Sequence, residues 1–286
     1  MKKLIYAAAA LVIVYSSQAH SAATGATAAA RPAAGVLVLK KAKADATAVF
    51  ARIDSGLAKA ARGGSQDADK TLAGLCSSLP AASCSLVDDK GKIIAIFPAE
   101  YKNLVGSDIS KQDHMAKLLK THKPVMGEVF TSLQGFAAVG IYHPVFSKAK
   151  KFSGGVGILV KPEVLLSGVL SSSEGKGGFN FWVMDRTGRL LYDPDVTQIG
   201  RVLSTDPIYI QYEKLQALVK KIAVSGKGEG EYEYFRLGSS DVVSKQASWD
   251  TIGLYGAQWR LVAITPKRLG ETLRDNSRTP PSARGI

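Results

Sequence analysis

Cysteine, histidine and methionine are scarce in this chain of 286 residues, at two, four and four. Two thiols with no C-x-x-C and no adjacent histidine exclude a dithiol redox centre and a cysteine-rich zinc site. The histidines beyond the N-terminal leader, His114, His122 and His143, stand in no H-E-x-x-H or comparable spacing, so the common metallohydrolase pattern is missing. A G-x-S-x-G elbow is absent as well. Ser147-Lys148-Ala149-Lys150 matches S-x-x-K, but it falls in a turn between two expected strands rather than at a helix start. No catalytic residue, cofactor or metal site is read from the sequence, and an enzyme is not expected.

Acidic residues are also short, 24 Asp and Glu against 37 Lys and Arg, giving a formal charge of +13, or +11 once Lys2 and Lys3 are set aside. The basic residues are spread over hairpins and helix faces instead of being gathered with aromatics, so they read as a solvated surface and no nucleic-acid partner is expected. Long apolar runs are confined to the first residues. Lys2 and Lys3, an apolar stretch at 4–15 and a small polar stretch, SSQAHSAA, have the layout of a secretory signal peptide over residues 1–21. That stretch is shorter than the roughly 20 residues a membrane span needs. No cysteine follows it, so no lipoprotein is expected, and the mature chain is expected in the periplasm or secreted.

What is present is a repeat. LVDDKGKIIA at residues 86–95 recurs as VMDRTGRLLY at 183–192, so Asp88 matches Asp185, Gly91 matches Gly188 and Lys92 matches Arg189. Each copy reads as a β-hairpin in which Asp opens the turn through its side-chain oxygen and Gly closes it in the left-handed conformation. A glycine-centred turn follows each, VGSDIS and IGRVLS. Each half then closes on a strand ending in proline, GVGILVKP and RLVAITP. A long repeat of this kind predicts two tandem α+β modules, each with a central antiparallel sheet.

The pattern predicts the following order. A disordered Ala/Thr/Gly-rich linker fills 22–34. A long helical segment at 35–80 carries Val49, Phe50, Ile53 and Leu57 at helical spacing, breaks at Gly63-Gly64, and resumes through Leu72, Leu75 and Leu79. Cys76 and Cys84, in an oxidising compartment, are expected to form a disulfide joining this segment to the first sheet. The first module spans 81–162: a hairpin at 85–97, a loop, a helix near 113–120 capped by Asp113, strands at 127–131 and 135–146, and a last strand from Gly154. A connecting helix and linker take 163–178. The second module, 179–266, has its hairpin at 179–192, a helix at 211–224 and three closing strands. Residues 267–286 are expected to be a basic flexible tail. Trp182, Trp249 and Trp259 read as packing residues, and Asp193 and Asp195 around Pro194 as a turn, with contact to a cation as the other reading.

These elements, in this order, resemble the double Cache (dCache, tandem PAS-like) extracellular sensor domains of chemoreceptors and histidine kinases. The resemblance is carried by FPAEYKNLVGSDIS at 97–110, HKPVMGEVF at 122–130, GFAAVGIYHPVF at 135–146, YDPDVTQIGRVLSTDPIY at 192–209 and WDTIGLYGAQWRLVAITP at 249–266. It implies a sensor that binds a small solute in its membrane-distal module, between the sheet and a covering segment at 101–120. On this chain it points to Tyr101, His114, Lys117, Phe130, Phe136, Tyr142 and His143 as ligand-binding residues. A carboxylate ligand would suit His114 or Lys117 through charge-assisted hydrogen bonds. The Arg-x-x-x-x-Trp-Tyr pattern of the amino-acid-binding subset is lacking, so an amino-acid ligand is not implied. Family members usually continue into a membrane helix and a signalling region. This chain ends in its basic tail, which implies a freestanding sensor that signals through a membrane-bound histidine kinase or chemoreceptor. Pairing of two copies along the N-terminal helix is implied in the same way. The other reading left open is a non-binding structural or interaction module of the cell envelope.

Overall fold

The fold is that of a computed structural model, which describes residues 30–63, 67–175, 178–235 and 242–266. The signal peptide expected at 1–21 and the tail expected at 267–286 lie outside the described residues. Helix α1, Ala30–Gly63, opens the structure. It begins inside the stretch expected to be disordered, because an alanine-rich start favours helix and Pro32 falls in the first turn, where its missing N–H costs nothing. Leu39, Ala42, Ala46, Phe50, Ile53 and Leu57, three and four apart, form one buried stripe. With about 1.5 Å of rise per residue the helix is long enough to lie along two modules, and its buried stripe packs on strands from both. Helix α2, Ala68–Ser78, follows, with Asp67 as its N-cap accepting from the Lys70 amide.

The first sheet contains β1 Ser83–Val87, β2 Ile93–Phe97, β3 Val125–Met126, β4 Phe130–Thr131, β5 Ala137–Phe146 and β6 Phe152–Val160. Its order is β2-β1-β6-β5-β3, with β4 also on β5, and every pairing is antiparallel. One face, with Cys84, Leu86, Val139, Ile141, Val156 and Ile158, packs into the core that α1 and α2 cover. The opposite face carries Val87, Ile93, Ile96 and Tyr142 and is roofed by Ile109, Met115 and Leu118. That roof is a 3-10 turn, Ala99–Leu104, and helix α3, Asp113–Thr121.

Helix α4, Pro162–Leu170, crosses to the second sheet: β7 Asn180–Met184, β8 Leu190–Tyr192, β9 Gly228–Phe235, β10 Val242–Ile252 and β11 Trp259–Pro266, in the antiparallel order β8-β7-β11-β10-β9. Helix α5, Glu213–Val224, covers it through Leu215, Leu218, Val219 and Ile222. Trp182, Trp249 and Trp259 are all buried, as expected of packing residues. The chain is therefore α+β, a long helix followed by two antiparallel sheets.

The repeat has a physical basis. Asp88 Oδ1 accepts from the amides of Lys90 and Lys92, and Asp185 Oδ1 accepts from those of Thr187 and Arg189. Gly91 and Gly188 close the turns at φ 83° and 86°, the left-handed region glycine enters freely. The loop that follows pairs back identically in each module: Ile93 with Ser107 and Leu190 with Arg201, then Ile109 with Gly91 and Leu203 with Gly188.

Three local expectations are corrected. In place of the strand expected at 127–131 there are two short pieces, β3 ending just before Gly127 and β4 at Phe130–Thr131, and at Gly127 the backbone passes over His114, where a Cβ would stand 2.8 Å from the His114 Cβ. The last strand of the module starts at Phe152, two residues before the expected Gly154. The N-cap of α3 is Gln112, in extended conformation and with no side-chain cap bond, and Asp113 sits in the first turn, where its charge suits the helix dipole.

Cys76 and Cys84 are disulfide-bonded, tying α2 to β1 across a sequence separation of 8. Loop closure of that length predicts that replacing both cysteines with alanine costs about 2–3 kcal/mol, read as a fall in the denaturant midpoint with an unchanged m-value.

Candidate functional site

The covered face of the first sheet holds a small cavity. Ser83 and Ser85 on β1, Ile93 and Ile96 on β2, Tyr142 on β5 and Leu159 on β6 form its floor. Ile109 and Gln112 come from the roof, and residues 130 and 132–134 form its outer wall. Strand alternation explains the floor: Ser83 and Ser85 are two apart and point to the same side, while Cys84 between them points to the α1 core. The volume is ≈ 20 Å³, about what one water occupies.

Several of its polar side chains are paired, and one buried atom is not. The Tyr142 hydroxyl and Ser85 Oγ are 2.9 Å apart. The Ser132 hydroxyl donates to the Phe136 carbonyl. Gln134 Nε2 donates to Ser83 Oγ at 3.3 Å, while Gln134 Oε1 is buried with no partner. Burial raises the Tyr142 pKa, with the Ser85 bond opposing the shift, so the phenol stays protonated.

His114 packs behind this lining. Its ring stacks on Tyr142 at 5.5 Å between centroids and tilts against Phe130 at 5.0 Å. It is wedged between two glycines: a Cβ on Gly140 would come within 2.6 Å of Nε2, and one on Gly127 within 2.8 Å of Cβ. Tyr142 lies over Gly157 in the same manner, where a Cβ would meet the ring at 2.2 Å. The His114 Nε2 has no hydrogen-bond partner, and burial pushes the pKa of the imidazole down to about 4, against a smaller upward pull from Asp113. At neutral pH His114 is an uncharged aromatic plug rather than a cation.

The residues to which the sequence pointed are therefore divided. Tyr142 and Phe130 line the cavity, and His114 braces both. Tyr101, in the 3-10 turn, packs at the edge of the roof core. Phe136 stands outside the lining, with the Lys161 ammonium 4.6 Å over its ring. Lys117 is exposed on the outer side of α3, whose inner side is His114, Met115 and Leu118. His143 is on the other face of the sheet, as its place next to Tyr142 on a strand requires. Five polar lining residues escaped the sequence reading: Ser83, Ser85, Gln112, Ser132 and Gln134. A serine at alternate positions of the apolar string SCSLV was the available signal.

His143 belongs to a junction instead. Its Nε2 lies 2.9 Å from Asp54 Oδ1 on α1 and 2.7 Å from the hydroxyl of Tyr255, in the loop between β10 and β11. The Tyr255 hydroxyl also donates to Asp54 Oδ1. Three elements of the chain meet there: the first sheet, the long helix and the second module. Burial lowers the His143 pKa, with Asp54 opposing. Tyr255→Phe is expected to cost about 1 kcal/mol, the usual value of one such bond, measured by chemical denaturation.

The corresponding part of the second module is polar. Asp193 Oδ1 accepts from the Asp195 amide, and Asp195 Oδ1 caps the next turn through the Thr197 amide and hydroxyl. Both are turn carboxylates, and among the described residues no group of three or more His, Cys, Asp or Glu is placed to hold a metal. Burial pushes the Asp193 carboxyl up to about 7. The S-x-x-K string forms the exposed turn between β5 and β6, where the Lys151 amide bonds the Ser147 hydroxyl.

The site is thus a small polar cavity between an antiparallel sheet and a loop-helix roof, in the first of two tandem modules along one long helix. This architecture has counterparts among known proteins. Residues 48–162 match the family described as "HK/GC/Chemotaxis protein-like, sensor domain". Among solved structures the chain is similar to an extracellular ligand binding receptor from Desulfohalobium retbaense DSM5692, at 26% identity and a TM-score of 0.68, over 81% of this chain and 40% of that one. The chain thus spans two fifths of that receptor. It is also similar to the extracellular domain of the histidine kinase mmHK1S-Z2, at 16% identity and TM-score 0.57, over 83% of this chain and 97% of that one. A third likeness is to the ligand-binding domain of the Pseudomonas fluorescens chemoreceptor CtaA, solved with L-alanine, at 16% and 0.56, over 85% and 98%. No curated protein matches. By fold the chain is similar to double Cache-type sensor domains, and residues 48–162 match the sensor-domain family of histidine kinases and chemotaxis proteins. No helix among the described residues is long and apolar enough to cross a membrane.

Proposed function

We propose that this protein is a periplasmic or extracellular sensor that binds a small solute in the cavity of its first module and relays occupancy to a separate membrane-bound histidine kinase or chemoreceptor. The observation that carries the reading is the buried amide atom of Gln134 left without a partner in the polar lining, since such a group costs free energy until something pairs with it. Related folds are sensor and receptor domains, which favours binding over catalysis. The relay would run through the Asp54, His143 and Tyr255 junction, which ties the first sheet to the helix shared by both modules. Pairing of two copies along α1 is compatible with Leu37, 65% exposed on that helix. Binding can move such a junction only by favouring one of its arrangements over the other.

The closed state of the cavity favours a second reading, in which the protein is an interaction module whose pocket is filled by its own side chains. A thermal-shift panel of small organic acids, amines, purines and metals on the full chain separates the two. A compound at a hundredfold excess over its Kd adds about 2.7 kcal/mol, and the sensor reading expects its shift to vanish in Ser85→Ala combined with Tyr142→Phe. No shift with any compound, together with capture of an envelope protein by α1, gives precedence to the interaction module.

A further inference from the structure

Resting on the sensor reading above, we propose that the cavity of the first module recognises a small uncharged polar solute, such as an amide, an alcohol or a neutral heterocycle, and rejects organic anions, amines and amino acids. None of the residues lining it carries a charge, and its polar groups are the hydroxyls and amides of Ser83, Ser85, Gln112, Ser132, Gln134 and Tyr142. A carboxylate or ammonium moved from water into such a lining would lose its hydration with no countercharge in return, a penalty of several kcal/mol. A neutral amide or hydroxyl gives up much less and recovers it through hydrogen bonds.

The cations on adjoining elements are directed elsewhere. The Lys161 ammonium sits on the Phe136 ring, and Lys117 is exposed on the far side of α3. His114, the one histidine packed against the lining, is held neutral by burial. One polar group of the lining is open instead: whichever way the Gln134 amide is turned, one of its polar atoms bonds Ser83 and the other is buried without a partner. A ligand donor or acceptor would satisfy it, and a site with an unpaired buried polar group discriminates strongly against molecules that cannot pair with it. Ile96, Ile109 and Phe130 offer apolar wall to the remainder of the solute. Entry requires the outer wall to move, because the closed cavity has room for about one water. Leu133 at the tip of that wall is 50% exposed.

The test uses a low-mass bacterial metabolite extract, split by ion exchange into neutral, anionic and cationic pools, with amino acids retained in the cationic pool at acid pH. Each pool is titrated against the full chain while its Tm is followed. The proposal expects the neutral pool to raise Tm by several degrees and the shift to be lost in Gln134→Leu. Should that variant fold poorly without any pool, Ser132→Ala serves in its place. A shift from the anionic pool that is lost in Lys161→Met, or one from the cationic pool, overturns the uncharged class, and the sensor reading survives if the cavity variants abolish that shift. A flat response to all three pools removes the sensor reading and this inference with it.

Discussion

Gly140→Ala is expected to destabilise the protein by about 2–3 kcal/mol, and to cost less than about 1 kcal/mol when His114 is already alanine. The added methyl would stand 2.6 Å from His114 Nε2. The ring cannot retreat, since Gly127 crowds its Cβ from behind and Tyr142 and Phe130 hold its faces. Overpacking a well-filled site by one carbon costs roughly 1–3 kcal/mol, and the upper end applies because the ring is enclosed by the Gly127 and Gly140 backbone and by the rings of Tyr142 and Phe130. His114→Ala alone opens a cavity and is destabilising too. The informative quantity is the coupling in the double-mutant cycle, which should exceed about 1 kcal/mol in urea denaturation. Additive losses would show that His114 does not rest on Gly140.

The second large effect is in acid. Folded His114 holds a proton only below about pH 4, whereas the unfolded side chain takes one near pH 6.5. Between those values the unfolded state binds more protons, so stability falls as pH falls through that window, and the contribution of the neutral ring is complete above pH 6.5. The loss from pH 7 to pH 4 is roughly 3 kcal/mol at about 1.36 kcal/mol per pH unit. Asp193 works in the opposite sense, because its folded pKa of about 7 lies above its unfolded value and folding binds a proton as the pH drops. The wild-type curve alone is therefore muted. The difference between wild type and His114→Leu isolates the histidine: the variant should gain on the wild type by roughly 3 kcal/mol between pH 7 and pH 4. A difference that stays flat with pH would mean that His114 is solvated in the folded state.

How far the sequence carries is clearest residue by residue. The paired hairpins were legible because Asp88 and Asp185 act on backbone amides two and four residues away, so spacing alone specifies them. The disulfide was legible because only two cysteines exist and they stand close together. The site was legible only where local geometry and tertiary position agree. His114 faces inward with Met115 and Leu118. Lys117, one position short of Leu118, falls outside that arc, and no helical spacing says where the arc is centred. Tyr142 and His143 are neighbours on a strand, so at most one could face the cavity. Which one does so is decided by α1, which brings Asp54 to His143 across 89 residues of sequence. The polar lining depends on the β4–β5 turn folding back over β1 to bring Gln134 to Ser83, a contact across 51 residues that no local pattern encodes.

The most direct test of the sensor reading is hydrogen exchange of the full chain with and without a low-mass metabolite extract, followed by mass spectrometry. The account predicts slowed exchange in the roof at 99–121 and the outer wall at 130–136, with a smaller change near Asp54 and Tyr255, all reversed on dialysis. Unchanged exchange over 99–121 and 130–136 would contradict it, and protection confined to 193–209 would place recognition in the second module instead.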